Sequence, residues 1–104
     1  MGWDEAVRFE FQPNDRGNPP GKVADVDVVF LQPPFVGLKL VGFAIWEDRK
    51  TRNVTFPARQ YTINGESRSF KLLRGVDNAD QVKGLQVAIL KAWDVFMARC
   101  EAVR

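Results

Sequence analysis

Between residues 49 and 74 the 104-residue chain places seven cations, Arg49, Lys50, Arg52, Arg59, Arg68, Lys71 and Arg74, against the single acid Glu66. That segment carries +6 in a chain whose net charge is +2, so the remainder stands at −4. Gathered cations neutralise phosphates and release their counterions, and aromatic rings among them give unpaired bases something to stack on. Tyr61 lies within the segment and Trp46 just before it. Arg outnumbers Lys five to two, which suits two-pronged phosphate contacts that a planar guanidinium makes better than an ammonium. These residue types point to a nucleic-acid surface built from Arg49, Lys50, Arg52, Arg59, Tyr61, Arg68, Lys71 and Arg74. A plainer reading stands beside it: strand edges carry Lys and Arg to prevent edge-to-edge aggregation, and Asp25 and Asp27 on a neighbouring strand can neutralise them. Strand alternation also divides the set. Arg68 and Arg74 share parity with Phe70 and Leu72, whereas Lys71 points the other way, so at most four or five of the cations form one patch.

Other chemistries find few parts. With no histidine and only Cys100, the chain lacks the commonest general base, the usual zinc and copper ligands and any intrachain disulfide. Cys100 falls at the end of an apolar helical stripe and reads as a small core residue. Carboxylate pairs occur at Asp25/Asp27, whose i, i+2 spacing converges on one strand face, and at the adjacent Glu47/Asp48, but no second acidic cluster faces them, and they read as solvated edges. No glycine-rich phosphate loop or dinucleotide fingerprint occurs. The expectation is a protein that is not an enzyme, holds no cofactor or metal and takes no small-molecule substrate.

The elements that must hold the cations follow from periodicity. Val7, Phe9 and Phe11 alternate with Arg8 and Glu10, a first half-buried strand. Residues 13–21, rich in Pro, Gly, Asn and Asp, form a mobile loop. Residues 23–31 put Val26, Val28 and Phe30 on one face and Asp25 and Asp27 on the other, before Pro33 and Pro34 stop the strand. Residues 36–46 are apolar on both parities, which predicts a strand buried on both faces, central or in an oligomer interface. Val54 and Phe56 resume alternation until Pro57 ends the strand or places it at an edge. Asn64-Gly65 is the best hairpin signal, because both residues tolerate the positive φ of a type I′ turn; residues 60–63 and 67–73 flank it.

After Gly75 the period changes. Asn78 can cap a helix with Gln81 reciprocating, and Val82, Leu85, Ile89, Ala92, Trp93, Phe96 and Cys100 follow at spacings of three and four. Gly84 weakens that helix by roughly 1 kcal/mol relative to alanine. The fold expected is α+β: an antiparallel sheet of four to six strands followed by one long helix packed on it. The chain reads as a single domain, with residues 1–21 an N-terminal strand plus loop, 22–74 the sheet and 78–103 the helix. Leu90, Trp93 and Met97 widen the helix's apolar arc beyond what one sheet needs. With the doubly apolar strand, that arc predicts a two-fold homodimer, packing against the chain's own sheet being the equal alternative.

Length suits one core, and 45% apolar with 27% charged residues is the composition of an ordinary globular protein. No apolar run approaches the roughly 18 residues needed to cross a bilayer. The N-terminus lacks the basic start and apolar centre of a signal peptide, so the cytoplasm is the expected location.

The stretch Phe43-Ala44-Ile45-Trp46, a polar seven-residue connection, Val54-Thr55-Phe56-Pro57-Ala58-Arg59, the turn Gly65-Glu66-Ser67-Arg68 and the helix of residues 82–93 together resemble the stage V sporulation protein G family over roughly residues 22–95. The resemblance implies a small dimeric bacterial regulator that binds DNA or RNA without catalysis. It places the family's basic residue after the proline on Arg59 and the one after the hairpin on Arg68. Gln60 stands where a second cation is usual, Ser69 where an aspartate commonly follows, and Leu73 where a later proline falls. Residues 1–21 exceed the usual family length. The alternative function is a protein-interaction module that presents a strand edge or the helix arc and binds no nucleic acid.

Overall fold

The computed structural model describes residues 2–77 and 79–102. Its elements in chain order are α1 (Trp3–Ala6), β1 (Val7–Pro13), β2 (Lys22–Phe30), β3 (Lys39–Asp48), β4 (Thr51–Thr55), β5 (Ala58–Ile63), β6 (Glu66–Lys71) and α2 (Asp80–Ala102). Strands β1 to β4 form an antiparallel meander in the order β1-β2-β3-β4, while β5 and β6 make a separate two-stranded sheet. This is the expected α+β arrangement, with the strands divided four and two. Asn78, the expected helix cap, lies outside the described residues.

One face of the meander carries the core. Val7, Ala24, Val26, Val28, Phe43, Ile45 and Val54 pack against Leu85, Ile89 and Trp93 of α2. The alternating strands put every second residue inward, and the helix stripe meets them, so the two periods read in the sequence meet at one layer. Phe11 joins from the β1 edge, its ring 5.3 Å from both Trp93 and Phe96. The chain's own sheet therefore takes up Trp93 and the half-buried Leu90, leaving only Met97 of the widened arc exposed. The short α1 was not anticipated. Its Trp3 indole packs beside Gly84 of α2, where an added Cβ would stand 3.4 Å from Nε1, an ordinary contact distance.

Two expectations need correction. Residues 36–46 are not one strand buried on both faces. Phe43, Ala44 and Ile45 are buried, but Val36 and Leu38 precede the strand and are exposed, as is Val41. The cause is a β-bulge: Val26 pairs with Phe43 while Val28 pairs with Leu40, so Val41 and Gly42 together oppose Asp27 and the inward phase slips. Cys100 is exposed rather than a core residue. The residues of α2 that pack on the core end with Phe96, and Cys100, one turn further on, lies beyond them.

At the end of β4 the chain reaches the buried Pro57, against which Gly42 (φ 105°) packs so closely that a Cβ would stand 3.3 Å from the ring. Here the ladder breaks and β5 departs as a new hairpin. The Leu72 amide donates to the Pro57 carbonyl at 2.9 Å and closes the root of that hairpin.

Candidate nucleic-acid interface

The arm formed by β5 and β6 turns at Asn64 (φ 52°) and Gly65 (φ 80°), the pair of left-handed residues that the Asn-Gly signal predicts. All twelve residues of its two strands are exposed. It contributes nothing to the core and stands clear of it.

Register decides what each face of the arm presents. Arg59 pairs with Phe70 and Tyr61 with Arg68, with Ile63 opposite Glu66 at the tip; in an antiparallel pair directly opposite residues share a face. The outer face thus alternates cation and ring along and across the strands. Tyr61 is 38% and Phe70 47% exposed. Arg74, just beyond the arm, holds its guanidinium 4.2 Å from the centre of the Phe70 ring. The opposite face carries Ala58, Gln60, Ser69 and Lys71, which border a cleft of about 1000 Å³ shared with Ala44, Trp46 and Thr55 of the large sheet. Trp46 is half-buried there and donates from Nε1 to the Thr55 hydroxyl at 2.8 Å.

The eight residues singled out from the sequence do not form one patch. Arg59, Tyr61, Arg68 and Arg74 converge on the outer face of the arm, and Lys71 lies on its other side, as parity requires. Arg49 (φ 52°) and Lys50 form the separate β3–β4 turn. Arg52 is engaged elsewhere. It shares the helix-facing parity of Val54 and donates to both carboxylate oxygens of Asp94 on α2, at 2.7 and 3.2 Å. That hydrogen bond holds the Asp94 carboxyl below the usual carboxylate range and raises the Arg52 guanidinium, with desolvation opposing in each case. Arg52 is thus a clamp between sheet and helix.

Of the seven cations, only Arg52 and Arg68 form ion pairs among the described residues, Arg68 with Glu66 at 3.1 Å. The latter pair is exposed and contributes little to stability. Asp25 and Asp27 do not neutralise the basic segment: they pair with Lys22 at 2.6 Å and Lys39 at 3.3 Å. Phe70 was missed as a binding candidate, although its shared parity with Arg68 already placed it on the cationic face.

A second exposed feature lies at the β2–β3 end, away from the seven cations in sequence. Leu31, Phe35, Val36, Leu38 and Val41 are between 38% and 59% exposed. Among the described residues no group of His, Cys, Asp or Glu is placed to hold a metal ion, and no helix is long and apolar enough to cross a membrane. No family model, curated protein or solved structure matches this chain.

Proposed function

We propose that this is a bacterial, cytoplasmic regulator that binds nucleic acid through the β5–β6 arm and catalyses nothing, in line with the resemblance to the stage V sporulation protein G family. The supporting observation is the arm itself: an exposed two-stranded ribbon whose outer face alternates Arg59, Tyr61, Arg68 and Phe70, with Arg74 at its root. A two-stranded hairpin is marginally stable alone in water, and this one has no core of its own, so a bound partner stabilises it. Arg and Lys on such a ribbon suit a polyanionic partner and would repel a second copy of the same arm.

With Arg59, Arg68 and Arg74 each neutralising one phosphate, the log–log slope of affinity against salt is roughly −2 to −3 per arm, at ~0.9 per contact for duplex or ~0.7 for single strand. Fluorescence anisotropy of labelled DNA and RNA oligonucleotides across a salt series reads this slope. The double variant Arg59→Glu with Arg68→Glu should lose most affinity while keeping its circular dichroism spectrum, since both side chains are exposed. A flat salt profile, or undiminished binding by that variant, removes the reading.

The apolar patch at the β2–β3 end supports a second reading, self-association or docking of another protein. Two copies abutting through Leu31, Phe35, Val36, Leu38 and Val41 would bury on the order of 1000 Å², the lower limit of a specific interface. We propose the homodimer contact there, since Leu90 and Trp93 of the helix arc pack against the chain's own core. Sedimentation should give a dimer that persists in half-molar salt and dissociates on Phe35→Ser; a salt-insensitive monomer in the parent protein rejects the dimer.

A further inference from the structure

The pattern on the arm distinguishes between kinds of nucleic acid, and this step rests on the reading just given. We infer that the outer face of β5–β6 is a site for unpaired nucleotides, single-stranded DNA or RNA, in preference to duplex.

Each cross-strand pair on that face supplies one cation and one ring: Arg59 opposite Phe70, then Tyr61 opposite Arg68. A nucleotide brings one phosphate and one base, so each pair offers what one nucleotide needs. The two pairs are two residues apart along the strand, roughly 7 Å, about twice the ~3.4 Å between stacked bases, so bases can occupy both pairs only when they are unstacked from each other. Bases in a duplex are already stacked on each other, and their π-faces are closed to a side chain. Tyr61 and Phe70 would then meet only sugar and phosphate, which gain nothing from a ring. Unpaired bases can splay onto both rings, with the guanidiniums beside them taking the backbone.

The ends of the site follow from the same register. At the tip the third pair is Ile63 with Glu66, which offers neither cation nor aromatic ring and adds a carboxylate that repels phosphate. At the root Arg74 covers one face of the Phe70 ring, leaving a base the other face and adding one more cation. The groove-reading alternative would use the hydroxyl and amide groups of Gln60 and Ser69, but that face of the ribbon borders the cleft against the large sheet rather than open solvent.

The test is anisotropy with labelled oligothymidylate, oligouridylate and a duplex of equal length at one low salt concentration. The parent protein should bind both single strands at least about tenfold tighter than duplex. Tyr61→Ala should weaken single-strand binding by about fivefold to a hundredfold, the loss of one stacked base, with an unchanged salt slope because no charge is removed. Tyr61→Phe, which keeps the ring, should retain binding. Duplex bound as tightly as single strands, or single-strand affinity unaffected by Tyr61→Ala, overturns the inference while leaving nucleic-acid binding in place. If no probe binds at all, the parent reading fails and takes this one with it.

Discussion

Gly42 is where the fold fixes the root of the arm, and replacing it with alanine should be costly for two separable reasons. Its φ of 105° lies in a region that L side chains rarely adopt, which costs about 1–3 kcal/mol. Its added Cβ would stand 3.3 Å from the Pro57 Cβ and 3.5 Å from both Cα and Cγ. Pro57 cannot relieve that contact by changing rotamer, because its side chain is a ring closed onto the backbone. It is also buried and tied to Leu72 through its carbonyl, so the strands themselves must separate. Overpacking of this kind adds about 1 kcal/mol or more. The total, about 3 kcal/mol, corresponds to a fall in Tm of roughly 10–20 °C for a chain of this size. Gly37→Ala is the matched control: its φ is 92°, yet nothing lies within 4 Å of the added Cβ, so only the backbone cost applies. Urea unfolding followed by tryptophan fluorescence measures both variants. A Gly42→Ala protein no less stable than Gly37→Ala would refute the role given to the Pro57 contact.

Other perturbations follow from the same geometry. Ile89→Ala, at a fully buried position, should lower unfolding free energy by about 2–5 kcal/mol in denaturant titration. Gly84→Ala should act in the opposite direction, raising stability by about 0.5–1 kcal/mol, because the helix gains and Trp3 is met at 3.4 Å, an ordinary contact. Asp94→Asn should cost under about 1 kcal/mol at neutral pH, since the pair with Arg52 is largely exposed. The Asp94 carboxyl is depressed on folding, so its contribution is present above the unfolded-state value and is lost as pH falls through the folded one. Stability curves of parent and variant should accordingly converge in acid, and a gap that stays constant with pH would exclude the Arg52 pairing as its cause.

Local rules made much of this molecule legible. The alternation at Val7, Phe9 and Phe11, the Asn64-Gly65 turn and the stripe from Val82 to Phe96 each reflect a short-range period, and each element forms where its residues direct it. The features that escaped are those set by encounters between distant segments. The bulge at Val41 and Gly42 depends on where β2 meets β3, and it turned an apparently doubly buried strand into one with an exposed Val41. Arg52 reaches Asp94 across 42 positions, which no spacing rule links, and so left the proposed phosphate-binding set. Cys100 continues the helix stripe, but packing against the core ends at Phe96. Within the arm, parity alone separated Lys71 from Arg68 and Arg74. The sequence carried no sign that the arm would stand apart from the larger sheet, because Pro57 ends a strand equally well in either arrangement.

In the proposed function the arm, and not another surface, meets the nucleic acid. Amide chemical shifts of the labelled protein, followed by NMR while a short oligothymidylate is added, test it directly. Residues 58–74 should shift progressively and saturate, while β1 and β2 remain still. Shifts centred on residues 31–41, or no shifts at saturating oligonucleotide in low salt, would contradict it.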